Sequence, residues 1–189
     1  MKTARHLSFL ALALVFVACG PDTTQLQADV TALDKTWTET TAAVEKWSQN
    51  LLTEQGQFQS MLNAIEIPAD AKAKLKPAEA ARLDSIASNA QVQVSQFADI
   101  QGEVSAFVTS WQEKTEALQA LKDQLAAKKI EDLPKATQEV TALAEAAAAA
   151  KTTLGEWDQT LDAVKASALE ALTAYKAVAG PLINPAAKK

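Results

Sequence analysis

The 189-residue chain has one cysteine, one histidine, one tyrosine and only five glycines. The cysteine, Cys19, and the histidine, His6, both fall within the first twenty positions. Beyond them there is no material for a Ser-His-Asp triad, a Cys-His pair, a histidine haem ligand or the usual Cys/His zinc sets. Carboxylate chemistry alone stays open, and no pattern of acids singles it out. The expectation is a non-enzymatic protein, with no catalytic residue, metal ligand or cofactor assigned. A basic excess is missing too: 18 Lys and Arg stand against 23 Asp and Glu, a net charge of −5. That balance lacks the electrostatic footprint of a nucleic-acid binder. Few glycines and few runs of β-branched residues argue against strands. Forty residues are alanine, the best helix former, so an all-α fold is expected.

The first eighteen residues read MKTARHLSFLALALVFVA. Lys2 and Arg5 form a positive leader, and Leu7 to Val17 is an apolar run of signal-peptide length, too short to span a bilayer comfortably. A plain secretory signal with an incidental cysteine would satisfy this much. A lone exposed thiol in an oxidising compartment, however, is a liability. The segment Phe16-Val17-Ala18-Cys19 resembles the lipobox of bacterial lipoprotein signals. That resemblance implies lipidation of the Cys19 thiol, cleavage before it, and acylation of the new amine. Two or more chains give stable anchoring, at about 0.8 kcal/mol for each buried methylene. Gly20 stands where an aspartate would resemble an inner-membrane retention signal in enteric bacteria. The resemblance therefore implies the outer membrane, facing the periplasm, with the inner membrane or the cell surface as alternatives. Without residues 1–18 the chain has 171 residues, 16 bases and 23 acids, a net charge of −7.

Downstream, apolar residues recur in 4–3 alternation. Asp22 and Gln25 have the spacing of a capping box. The first seam follows: Leu26, Val30, Leu33, Trp37, Thr40, Val44, Trp47, Leu51, Glu54, Phe58, Met61 and Ile65. A 3.5-residue period held that long points to a supercoiled helix. Glu54 is the odd member, a carboxylate at a core slot. It is read as a defect opening to water; if buried it would need a cationic partner, but antiparallel pairing sets residues of about 90–95 beside it, so neither Lys114 nor Lys122 is an obvious one. Gly56 nearby predicts a kink, or a split giving four helices. Pro68 and Pro77 bracket a connector with room for one helical turn.

The second seam places Leu83, Ala90, Phe97, Val104, Trp111, Leu118 and Leu125 seven apart, flanked by Ile86, Ile100, Phe107 and Leu121 and by Ala87, Val94 and Val108. So broad a face suits a helix touching two neighbours. Asp132 and Pro134 restart the chain. The third seam runs Val140, Leu143, Ala147, Ala150, Leu154, Trp157, Leu161, Val164, Ala168, Ala171, Tyr175 and Val178. Gly180-Pro181 predicts its end, glycine as left-handed cap and proline as stop. The alanine run at 144–151 reads as a flat face permitting close approach. Trp37, Trp111 and Trp157 share Ala at +6 and Val or Leu at +7, with Thr, Thr and Leu at +4. Their indole N–H groups are expected to reach the surface of a thin bundle.

These patterns predict a signal peptide at 1–18, an anchor and linker at 19–21, helices over about 22–66, 78–129 and 134–179, and a tail over 181–189. Short connectors make neighbours antiparallel. The expected fold is an elongated up-down-up three-helix coiled-coil bundle, with helices of roughly 65–75 Å at 1.5 Å per residue. It resembles spectrin-type bundles in pattern only. The function expected is a membrane-anchored scaffold, spacer or partner-binding module, attached to the membrane through Cys19 and engaging an envelope protein. A hydrophobic-ligand- or lipid-binding bundle is the alternative. Terminal Lys189 also resembles the peptidoglycan-linked lysine of murein lipoproteins, which would make it a tether.

Overall fold

The computed structural model describes residues 22–183. They form four helices that pack against one another: α1, Thr24–Asn63; α2, Ala69–Ala73; α3, Pro77–Ala126; and α4, Leu133–Ile183. Among the described residues there is no strand. The signal segment, Cys19, the 19–21 linker and Lys189 lie outside the described residues.

The helix starts follow local chemistry. The Asp22 carboxylate accepts the Thr24 backbone N–H at 3.0 Å. The Thr24 hydroxyl and backbone N–H hold the Asp22 carboxyl below its ordinary pKa. The cap's contribution is therefore present above the unfolded-state value and is lost as pH falls through the lowered one. Gln25 does not reach back to close a capping box; its amide turns forward to Asp29 at 2.8 Å. At α3, Pro77 occupies the first turn and Glu79 returns to accept the Lys76 N–H at 3.0 Å. At α4, Asp132 accepts the Lys135 N–H at 3.0 Å. Each contact satisfies a backbone donor that the helix itself leaves unpaired.

The ends are less orthodox. α3 closes with a Schellman arrangement: Lys128 donates to the Leu125 carbonyl and Lys129 to that of Gln124. The left-handed residue in it is Lys128, with φ 55°, where glycine is the usual occupant. Conversely, Gly180-Pro181 does not end α4, which continues to Ile183. Gly180 is not left-handed. Proline removes one backbone donor, while Leu182 packs on the core and Ala179 is fully buried, so tertiary contact carries the helix past its expected stop. α1 also runs unbroken through Gly56, where a kink was expected. The fourth helix, α2, is a single five-residue turn inside the Pro68–Pro77 connector.

The three seams form the core. Ten of the twelve predicted α1 positions are buried, from Leu26 to Ile65. The exceptions are informative. Glu54 is only partly covered. Met61 is exposed while Leu62, one position on, packs inward. A straight helix drifts against a 3.5-residue repeat, and near the end of α1 the seam moves over by one residue. On α3 the heptad-spaced row is buried from Leu83 to Leu118, and Val108 on the flank stays 42% exposed. Two core clusters result, one holding Leu26 to Trp37, the other Trp47 to Ile65; Phe107 packs against both.

Polar side chains set the register. Trp47 donates its indole N–H to Asp158 at 2.7 Å, Lys165 meets Glu54 at 2.7 Å, and the Tyr175 hydroxyl donates to the Ile65 carbonyl at 3.3 Å. These partners are separated by 111, 111 and 110 residues, so numbering rises together along α1 and α4. Between α1 and α3 it runs in opposite senses: Asp34 meets Lys122, Trp37 meets Trp111, and Phe58 meets Phe97.

Two substitutions test the backbone reading by chemical denaturation. Lys128→Gly relieves a left-handed L-residue and is expected to raise stability by about 1 kcal/mol. Gly56→Ala lies mid-helix with open space around the added methyl and is expected to add about 0.5–1 kcal/mol. A loss of stability in either variant would contradict the local geometry.

Candidate functional site

All four tryptophans belong to one chain of aromatic contacts. Trp37 and Trp111 stack face to face, with centroids 3.8 Å apart and planes within 8°. Phe107 lies 5.7 Å from Trp111 and meets Trp157 edge-on at 5.1 Å; Trp157 lies 5.0 Å from Trp47. The belt crosses α1, α3 and α4. It uses residues that the sequence placed in three separate heptad rows.

The stacked pair is locked by a reciprocal exchange. Trp37 donates its indole N–H to the Thr115 hydroxyl at 2.8 Å, and Trp111 donates its own to the Thr41 hydroxyl at 2.9 Å. Each threonine in turn donates to the carbonyl four residues back, Thr41 to Trp37 and Thr115 to Trp111, both at 2.9 Å. A hydroxyl has one proton and two lone pairs. Its proton satisfies its own helix, which leaves a lone pair for the indole opposite. The expectation that these N–H groups reach the surface is therefore corrected. The Trp-x-x-x-Thr spacing at 37–41 and 111–115, visible in the sequence as Thr at +4, is the signal that could have found the lock. Trp157 has Leu161 at that position and makes no such exchange. The alanine run supplies room beside the belt, with Ala147 and Ala150 buried in the same cluster as the stacked pair.

Glu54 is not a defect opening to water. Its side chain is 18% exposed and ion-paired with Lys165. As the antiparallel spacing implies, neither Lys122 nor Lys114 serves it: Lys122 pairs with Asp34 at 2.8 Å, and Lys114 bonds Ser110 at 2.7 Å on its own helix. Antiparallel pairing offered Glu54 no cation, and its partner comes from α4 instead. Among the described residues, every buried side-chain nitrogen and oxygen has a hydrogen-bond partner. None of them form a His, Cys, Asp and Glu group able to hold a metal ion.

Beside the belt, residues of α1 and α3 line a groove of about 660 Å³. Val44, Leu51 and Leu52 on α1 and Val104 and Val108 on α3 supply its apolar lining. Ser48, Gln49, Gln101, Ser105 and Gln112 supply neutral polar edges, and Glu45 is its one charged residue. A second depression of about 340 Å³ shares Thr41, Glu45 and Thr115 with it and continues to the Asp34–Lys122 pair. The two depressions adjoin at these residues, beside the Trp–Thr lock. The site thus belongs to an all-helical protein with an aromatic-pinned core and an open apolar trough. No protein-family model, curated protein or solved structure matches the chain.

Thr41→Val and Thr115→Val each remove the acceptor of a part-buried indole N–H. Each is expected to cost about 0.5–1.5 kcal/mol, the net worth of an internal hydrogen bond. Thr53→Val, an exposed threonine with the same backbone bond, is the control and should fall within about 0.5 kcal/mol of the parent. Equal effects at all three positions would remove the lock's claim to hold α1 and α3 together.

Proposed function

We propose that the protein is a non-enzymatic lipoprotein of the bacterial envelope, anchored through Cys19, in which three long helices run up, down and up as a slender scaffold that presents a binding surface to a partner. The helices have 40, 50 and 51 residues, or about 60 to 77 Å at 1.5 Å per residue. The observation that carries the reading is the combination of a core pinned at mid-length with a trough left open beside it. A body that only filled space would have no need of a preformed apolar channel. The register of polar contacts supports the up-down-up course, since numbering rises together along α1 and α4 and opposes along α1 and α3.

Attachment rests on the lipobox-like segment. Among the described residues, no helix is long and apolar enough to cross a membrane. On this reading the lipid is the attachment, and the outer membrane facing the periplasm is the site. A second reading is favoured by one specific observation. The groove's volume falls in the range of roughly 300–1,000 Å³ typical of small-ligand sites, so a hydrophobic ligand or lipid is the alternative occupant.

Membrane fractionation of cells producing the Cys19→Ala chain tests the anchor. The parent is expected in the membrane fraction and the variant in the soluble one. Retention of the variant on the membrane would remove Cys19 as the point of attachment.

A further inference from the structure

We infer that the bundle end beside the lipid anchor is a basic face, carried by Lys128, Lys129 and Lys135, that rests on the headgroups of anionic phospholipids and so fixes how the protein stands on its bilayer. This rests on the reading of Cys19 as the lipidated residue, and it names the surface and the lipid chemistry that an acyl anchor alone leaves open. Register brings the three lysines to that end. Asp34 meets Lys122, so Thr24, ten residues back along α1, comes level with residue 132 in the α3–α4 loop. Trp47 meets Asp158, which sets Thr24 level with Lys135. Leu26 and Ile130 are buried in one cluster, which closes the loop against the start of α1. Cys19 precedes Asp22 by three residues, a reach of at most about 11 Å. The lysines therefore stand near the distance over which an anionic surface attracts a cation, a Debye length of roughly 10 Å.

Exposed lysines without an ion-pair partner also occur in mid-helix, Lys46 and Lys151 among them, so exposure alone assigns nothing. The lysines of this end differ in standing where helix physics disfavours them. Lys128 has φ 55°, a left-handed conformation that glycine takes freely and an L-residue does not. Lys135 lies in the first turn of α4, where the helix dipole favours an acid, and that turn holds none. Two separate local rules are broken at one end of the bundle, each time by a cation. Such departures from local preference belong at positions held for function.

The acids of this end are engaged. Asp22 and Asp132 each accept a backbone N–H at a helix start at 3.0 Å, where the positive end of the helix offsets part of their charge. Asp123, a turn further from the end, accepts the Gln119 amide at 2.9 Å. Glu131 remains against three exposed lysines, none of them within 4.0 Å of a carboxylate among the described residues. At the other end of the bundle, Lys72 and Lys74 are paired with Asp84 and Asp70.

The test uses the full lipidated chain in vesicles of phosphatidylcholine, alone or with about a third phosphatidylglycerol. Flotation reads the anchor first: the parent rises with the vesicles and Cys19→Ala does not. Amines are then briefly acetylated with an N-hydroxysuccinimide ester and each lysine is quantified by peptide mass spectrometry. With phosphatidylglycerol present, Lys128, Lys129 and Lys135 are expected to react at least threefold more slowly, and high salt to erase the difference. Lys76 and Lys176, exposed at the other end, should react alike on both vesicles. Inorganic phosphate added to phosphatidylcholine vesicles should protect nothing. Lys128→Gly combined with Lys129→Gln should at least halve the protection of Lys135 without lowering the denaturation midpoint, a split that a merely structural role would not produce. Equal rates on the two vesicles, equal slowing at both ends, protection by inorganic phosphate alone, or unchanged protection of Lys135 in the double variant would overturn the assignment. A chain that fails to float overturns the anchor and this face with it; one that floats with its lysines unprotected overturns the face alone.

Discussion

The exchange between Trp37, Thr41, Trp111 and Thr115 is the constraint on which the arrangement of α1 and α3 depends. Stacking of two indoles adds about 0.5–1.5 kcal/mol beyond the area they bury. The hydrogen bonds matter more for geometry than for net energy. Each ties a ring on one helix to a hydroxyl that is itself tied to the backbone of the other. Sliding α1 against α3 by one heptad would break both exchanges and strand two buried donors. Hydrophobic rows with a seven-residue repeat tolerate such a slip; the lock does not.

The contacts between α1 and α4 show the same division of labour. Val, Leu and Ala rows supply most of the buried surface and would accept several registers. Asp158 and Lys165 select one, by meeting Trp47 and Glu54 one heptad apart. Partly buried ion pairs add little stability in general, and their best-attested role is to fix which residues face each other. Glu54 is therefore a register mark at a core slot, and the seam loses some apolar area there in return.

Much of this was legible in the sequence. The 4–3 spacing located nearly every buried residue, because burial in a helix is set by a period that any long row of Leu, Val and Trp displays. Asp132 and Pro134 marked the start of α4 because their effects are local. Three features were not legible. Lys128 in a left-handed conformation depends on the path of the following loop, which places buried Ile130 on the core. The passage of α4 through Pro181 depends on Leu182 finding a surface to pack on. The partner of Glu54 depends on which neighbour runs alongside in the same sense, and that is tertiary information. The trough was anticipated only as the wide apolar face of α3. Its opening follows from what α4 leaves uncovered, which no single helix records.

Phe107 packs against both core clusters, and the belt it joins marks the border between them. Packing divided this way predicts two cooperative units. Fraying can start at the far ends of either half and stop at the belt, since sub-global opening follows the boundaries of contiguous packing. Mechanical load along the long axis would be borne the same way, with one segment yielding while its neighbour stays folded.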